Sequence, residues 1–283
     1  MSAARRIGVI GGGTMGIGIA YVFAGAGAEV TMVEPDATRA GVASEKIAEH
    51  AVRAREKGKL DPEDAEALPG RVRVVATVGE LGSGLDIVVE AVPERAELKR
   101  SVLAEAEGRE PGLLASNTSG LSIDELADGL RRPESFLGLH FFNPVASMPL
   151  VEIIRGGRTS EDTLSVARDA VALIGKEHIV VADAPGFATS RLGIAIGLEA
   201  MRMLADGVAE AVDIDRAMEL GYRHPMGPLR LSDLVGLDVR LDIARHLAQT
   251  YGPRFEPPQI LVDKVAAGEL GRKSGRGFYD WSE

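Results

Sequence analysis

Ile7-Gly8-Val9-Ile10-Gly11-Gly12-Gly13-Thr14-Met15-Gly16 is the stretch whose reading decides the fold. Its first four residues read as a short buried strand, which runs into a glycine cluster and an Ala/Gly/Ile-rich helical stretch to about Gly27. Glu29 to Val33 reads as a second strand, closed by the acidic Glu34. Strand, tight turn, helix and strand in that order form a βαβ unit with a parallel pair. In a chain with 34 glycines, Gly11-x-Gly13-x-x-Gly16 alone is weak. Its setting strengthens it, because it follows a strand, opens a helix and is followed by an acid about 20 residues further on, the arrangement of a dinucleotide-binding turn. The first glycine permits the turn, the second lets backbone approach a pyrophosphate, and the third allows close helix packing. Helix N-terminal amides then meet the phosphate charge. Gly11, Gly13, Thr14, Met15 and Gly16 are thus candidate cofactor-binding residues. Glu34 would accept from the adenosine ribose hydroxyls and repel a 2′-phosphate, so NAD is the expected cofactor.

Outward from this unit, the apolar runs Val72-Val75, Leu85-Val89 and Leu113-Ala115 read as parallel strands buried on both faces, since one-sided strands would alternate. Between the second and third strands, residues 36–68 carry Ala at helical spacing, broken by Gly58 and Asp61-Pro62, which predicts a protruding helical hairpin. Its bend holds Arg53, Arg55, Lys57 and Lys59; a solvated helix face is the ordinary reading of such a run. Glu134 to Phe141 and Leu150 to Ile154 read as strands joined by the turn-rich Asn143-Pro144-Val145-Ala146, an antiparallel return that would bring His140 and Glu152 together. A helix from about Glu161 to Ile174 and a strand at His178-Val181 follow. Asp183-Ala184-Pro185-Gly186 then marks a break. Beyond it, residues 189–205, 209–220, 228–235, 237–250 and 258–267 read as helices. The expectation is an α/β chain: a Rossmann-type, doubly wound, mostly parallel sheet over residues 1–183 with a helical hairpin insertion, and a smaller all-helical domain over 184–283.

Length and composition agree with two globular domains: 283 residues, 45% hydrophobic and 26% charged. A net charge of −10 argues against nucleic-acid binding, which usually leaves a basic footprint. Cysteine is absent, which removes thiolate chemistry, a disulfide framework and cysteine-based metal sites; no metal is expected. No run approaches a membrane span, and the apolar stretch after Arg5-Arg6 is too short for a secretory signal. A soluble, cytoplasmic protein with no membrane partner is the expectation.

The chemistry centres on His140, in Gly138-Leu139-His140-Phe141-Phe142-Asn143-Pro144. A lone histidine is usually a surface or satisfied core residue, and His50, His178, His224 and His246 stay at that level. His140 rises above them because it ends an apolar strand of the nucleotide domain, and ligands gather beyond the C-terminal ends of such strands. Imidazole titrates near neutrality, and a neighbouring carboxylate, here Glu152, orients it and favours its cation, which suits proton abstraction from an alcohol. A proton acceptor beside a hydride acceptor amounts to alcohol oxidation. Ser116-Asn117-Thr118-Ser119 emerges at the same sheet edge, able to hold a substrate oxygen or a nicotinamide, or simply to cap the next helix. Glu90-Ala91-Val92-Pro93-Glu94 could likewise be a functional edge or only a helix start. No G-x-S-x-G, H-E-x-x-H or P-loop motif offers another chemistry.

Taken together, these segments resemble the L-3-hydroxyacyl-CoA dehydrogenase family, including its 3-hydroxybutyryl-CoA members, over essentially the whole chain. The resemblance rests on residues 9–16, on Val88-Val89-Glu90-Ala91-Val92, on Ala115-Ser116-Asn117-Thr118-Ser119 and on the His140 segment. It continues through Pro185-Gly186-Phe187, Pro225-Met226-Gly227-Pro228 and residues 271–279. It implies that His140 is the catalytic base, Glu152 its orienting carboxylate and Ser119 a ligand of the reacting oxygen. It further implies NAD contacts from Glu34, Glu94, Lys99, Ser119 and Asn143. The acyl-CoA substrate would meet Lys57 and Lys59, and the helical domain would close over it and form a homodimer.

Two departures stand out. Glu34 replaces the family's usual aspartate, which preserves the NAD preference. Ser190, in Pro185-Gly186-Phe187-Ala188-Thr189-Ser190, stands where the family commonly has an active-site asparagine, so it is carried over as a catalytic and substrate-binding candidate with a shorter reach. The expected reaction is NAD-dependent, reversible oxidation of an L-3-hydroxyacyl-CoA to the 3-ketoacyl-CoA. Rival readings are a dehydrogenase of a free hydroxy acid, of sugar-acid or carnitine type, and a non-catalytic dinucleotide-binding protein.

Overall fold

The computed structural model describes residues 5–282. Eight strands form one sheet: β1 (Arg6–Ile10), β2 (Glu29–Val33), β3 (Val72–Val75), β4 (Ile87–Glu90), β5 (Leu113–Ser116), β6 (Phe136–Phe141), β7 (Leu150–Arg155) and β8 (Glu177–Ala182). Their order is β3-β2-β1-β4-β5-β6-β7-β8, and every neighbouring pair is parallel except β6 with β7. The chain order reverses between β1 and β4, and in open α/β sheets ligands bind at the C-terminal edge of such a switch point. Among the described residues six α-helices belong to this unit: α1 (Thr14–Gly25), α2 (Ala37–Glu56), α3 (Pro62–Ala67), α4 (Ala96–Glu107), α5 (Ile123–Ala127) and α6 (Glu161–Leu173). Ile7, Val9, Ile19, Phe23, Met32 and Ile87 lie in its central apolar cluster.

Three expectations about these elements need correction. Val72-Val75 is not buried on both faces, because β3 is an edge strand whose Arg73 is exposed and whose Val72 and Val74 are half-buried. The fourth strand begins at Ile87 rather than Leu85, since Asp86 serves the turn, its Oδ2 accepting from Arg6 N–H at 2.7 Å. The insertion between β2 and β3 does not protrude along its length: α2 buries Ala43, Ile47, Ala51 and Ala54, a stripe at three- and four-residue spacing, and the first three of these belong to the central cluster. Arg71 ties the returning arm to α1, donating to Ala24 O at 3.1 Å and Asp64 Oδ1 at 3.0 Å. Lys57, Gly58 and Lys59 at the bend are all exposed, and Gly58 turns it at φ +64°.

The chain divides into two compact units, the first ending at Asp183 and the second beginning at Ala184. The second contains α7 (Thr189–Ala205), α8 (Ala211–Arg216), α9 (Pro228–Val235), α10 (Leu237–Tyr251) and α11 (Gln259–Ala266), packed through Ile194, Leu198, Met201, Leu237, Leu241 and Leu247. It is not helical to its end. Residues 271–281 form a short 3-10 turn and two isolated bridges, Gly271 with Arg276 and Arg276 with Asp280. The fully buried Asp233 organises this tail by accepting from Phe278 N–H and Tyr279 N–H at 2.9 Å and from Trp281 Nε1–H at 2.8 Å. A Cβ at Gly271 or Gly277 would overlap Asp233, so glycine there is a packing requirement. Among the described residues no helix is long and apolar enough to cross a membrane.

Candidate functional site

The turn between β1 and α1 builds a cradle from backbone. Gly11 adopts φ +113° and a Cβ there would strike Ala91 O, while a Cβ at Gly16 would overlap the Gly11 carbonyl. Gly13, the N-cap of α1, has nothing within 4 Å of its Cβ position, so a ligand can come close to the chain where the helix amides begin. A cavity of about 870 Å³ opens here, lined by Gly12, Gly13, Thr14, Met15, Glu34 and Arg39 among others. Glu34 is 5% exposed. Its Oε2 accepts from Gly12 N–H at 3.0 Å, and its Oε1 accepts from Asp36 N–H at 3.0 Å and from Arg39 at 2.8 Å and 3.0 Å. These features fit the dinucleotide expected for this turn: a bare backbone approach for phosphates, helix amides beside it, and a carboxylate on the cavity wall next to the glycine turn.

A second concavity of about 250 Å³ is lined by Met15, Glu94, Asn117, Ser119, His140 and Phe141 among others. Met15, Ala91 and Val92 line both cavities, so the two meet along the C-terminal ends of β1 and β4. His140 comes from the wholly buried β6 and faces Glu152 across the antiparallel register with β7. The facing pair sits on one sheet face, which is why residues remote in sequence meet. His140 Nδ1 lies 2.8 Å from Glu152 Oε2, with the histidine 7% and the glutamate 0% exposed. The Phe142 ring packs against the imidazole at 4.5 Å between centroids. When Nδ1–H donates to the carboxylate, the neutral ring carries its lone pair on Nε2, the tautomer a general base needs.

The Ser116-Asn117-Thr118-Ser119 segment does not cap the following helix; Ser122 does, its hydroxyl accepting from Glu125 N–H at 3.2 Å. Its polar groups serve the sheet edge instead. Asn117 Oδ1 accepts from Phe141 N–H at 2.9 Å, fixing the end of β6 one residue beyond His140. Glu94 Oε1 accepts from Thr118 Oγ1 at 2.6 Å, Ser119 N–H at 2.9 Å and Ser119 Oγ at 3.2 Å. Beneath them, fully buried Glu90 accepts from Ser116 Oγ at 2.6 Å, Val92 N–H at 2.7 Å and Lys99 Nζ at 2.7 Å. Lys99 Nζ also reaches Glu94 Oε2 at 3.3 Å, so one enclosed ammonium joins two carboxylates. Burial pushes the Glu94 carboxyl up, but Lys99 and the hydrogen bonds from Thr118 and Ser119 outweigh it and hold Glu94 below the usual carboxylate range.

The other sequence-derived candidates fall elsewhere. Lys99 sits under the pocket rather than on its wall. Lys57, Lys59 and Asn143 are exposed and line neither cavity, Asn143 preceding Pro144 in a turn after β6. Ser190 lies half-buried in the first turn of α7, in the second unit. Sequence reasoning missed Arg39, Gly12 and the Glu90–Lys99 cluster. Arg39 had a legible signal, a cation in the first turn of a helix, where the macrodipole disfavours it. Among the described residues no group of three or more His, Asp or Glu is arranged to hold a metal ion.

Comparison with known proteins adds three findings. Residues 6–184 match the family model for the 3-hydroxyacyl-CoA dehydrogenase NAD-binding domain, and residues 186–281 match that for the C-terminal domain of the same family. The chain is 39% identical over 284 residues to a 3-hydroxybutyryl-CoA dehydrogenase of Mycobacterium tuberculosis, covering 99% of each chain, and 41% identical over 287 residues to a probable 3-hydroxybutyryl-CoA dehydrogenase of Bacillus subtilis, covering 99% and 98%. The crystal structure of (S)-3-hydroxybutyryl-CoA dehydrogenase from Ralstonia eutropha superposes with a TM-score of 0.94 at 38% identity, over 99% of this chain and 100% of that one.

Proposed function

The chain belongs to the 3-hydroxyacyl-CoA dehydrogenase family, and from that premise we propose that it catalyses reversible, NAD-dependent oxidation of an L-3-hydroxyacyl-CoA to the 3-ketoacyl-CoA, with His140 as the base. NAD, bound in the larger cavity, supplies the two-electron acceptor for the hydride leaving C3. His140 Nε2 takes the hydroxyl proton. Glu152, enclosed and bonded to Nδ1, offsets the positive charge that the imidazole then carries. Ser119 positions the reacting oxygen: its hydroxyl makes the longest of the three hydrogen bonds that Glu94 Oε1 accepts, and so is the one most easily exchanged for a substrate oxygen. His140 and Ser119 share one concavity with Met15 and Ala91, which also line the nucleotide cavity, and this is the observation that carries the reading.

The same reading assigns the exposed Lys57 and Lys59 to the phosphates of CoA, and Ser190 of the second unit to the substrate. It makes the protein a cytoplasmic homodimer through the helical unit. Exposed apolar side chains there support the dimer: Leu192 and Ile196 on α7, Leu231 and Val235 on α9. The test is NADH oxidation with acetoacetyl-CoA against acetoacetate and other free keto acids. Turnover confined to the CoA ester supports the reading; preference for a free keto acid transfers the protein to a different substrate class.

A further inference from the structure

The expected selector of NAD over NADP is one acid, Glu34, at the adenosine ribose. The structure holds a second member. Arg39 is the third residue of α2, where the helix macrodipole disfavours a cation, yet its guanidinium is committed by Nε and Nη2 to Glu34 Oε1 at 3.0 Å and 2.8 Å. Both residues line the larger cavity. The Glu34 side chain is 6% exposed and that of Arg39 65%, so the cation forms the outer, reachable half of the pair. A guanidinium offers the same fork of donors to a phosphate as to a carboxylate. Asp36 is the other acid at the corner, and its Oδ1 is turned onto Arg39 N–H at 2.9 Å as the N-cap of α2.

We propose that Arg39 is the second half of the cofactor selector: paired with Glu34 it lets the ribose corner tolerate a 2′-phosphate, and with Glu34 removed it becomes that phosphate's ligand. A bare carboxylate would repel the phosphate outright. Here the charge of Glu34 is balanced, so discrimination rests on Glu34 keeping the guanidinium occupied. Removal of Glu34 alone therefore turns the preference toward NADP, with no added cation. The inference rests on the reading of this cavity as the NAD site.

The test is direct binding of NADH and NADPH, without acyl substrate, to the full-length wild type, Arg39→Ala, Glu34→Ser and the double variant. In the wild type NADH binds more tightly. Arg39→Ala weakens NADPH more than NADH. Glu34→Ser weakens NADH and tightens NADPH by on the order of tenfold, the lower end for a hydrogen-bonded charge pair, since Asp36 remains beside the phosphate. The double variant loses that gain. Glu34→Gln, which keeps the side-chain volume, shifts the two affinities the same way and replaces Glu34→Ser if the serine variant does not fold. NADPH affinity indifferent to Arg39 in both backgrounds overturns the proposal while leaving the NAD site intact. Failure of the wild type to bind NADH, or of Glu34→Ser to weaken it, overturns the cavity assignment and the proposal together.

Discussion

At the scale of single residues, buried charges and their partners set the chemistry and part of the stability. Glu152 is enclosed with His140, so Glu152→Gln keeps the shape and removes the charge that balances an imidazolium. We expect kcat to fall roughly 10- to 10²-fold, the kinetic worth of one hydrogen bond to a charged group, with NADH affinity unchanged; wild-type kcat would detach Glu152 from the reaction. Ser190→Ala should lower kcat/KM roughly three- to tenfold for acyl-CoA substrates, the worth of a neutral hydrogen bond, and an unchanged value for every chain length would remove its hydroxyl from the site. Arg240 makes the opposite case. It is 6% exposed, its Nε has no hydrogen-bond partner among the described residues, and burial lowers the guanidinium to about 10. Between about 10 and the ordinary arginine value the unfolded chain binds the proton that the folded chain has released, so stability rises with pH there and is lowest while Arg240 is charged. Arg240→Met should therefore raise Tm by a few degrees near neutral pH, on the order of 1–3 kcal/mol, and its advantage should shrink above about pH 10. A lower Tm would mean that the cation has a stabilising partner.

At the scale of elements, what was legible depended on whether a pattern was local. The β1 turn was legible because its glycines stand at fixed short spacing between a strand and a helix, and the β6–β7 return because an apolar strand, a turn and a second apolar strand allow little else. The pairing of Glu90 with Lys99 and Ser116 was not, since it joins β4, α4 and β5 through side chains whose spacing carries no period. The tail at 271–281 was missed for a similar reason: its order comes from Asp233 on α9, and Gly271 and Gly277 read as mere punctuation until that aspartate is seen against them. Asp233→Asn offers one acceptor oxygen where two were used, so it should leave part of the tail unpaired and increase Trp281 fluorescence quenching by iodide. Unchanged quenching would show that the tail is held by other contacts. The bend between α2 and α3 is the element assigned to CoA. Lys57→Glu with Lys59→Glu should raise KM for acetoacetyl-CoA more than for a truncated thioester lacking the nucleotide, and equal effects would return the bend to plain solvated surface.

At the scale of the whole molecule, the chain reads as two units of different construction: a mostly parallel sheet whose β1 turn builds the nucleotide cradle and whose antiparallel β6–β7 pair builds the dyad, and a helical unit with apolar side chains exposed on α7 and α9. Leu192→Glu with Leu231→Glu should convert a homodimer to monomer in light scattering; a wild type already monomeric at micromolar concentration would contradict the assembly. The central claim, that His140 moves the proton in the oxidation of a 3-hydroxyacyl-CoA, is tested most directly by comparing wild type and His140→Gln in NADH-dependent reduction of acetoacetyl-CoA, with the NADH dissociation constant measured on the same preparations. In His140→Gln kcat falls roughly 10²- to 10⁴-fold, the usual worth of a positioned acid or base, while NADH binding is preserved. Near-wild-type kcat in a folded, NADH-binding His140→Gln protein would contradict it.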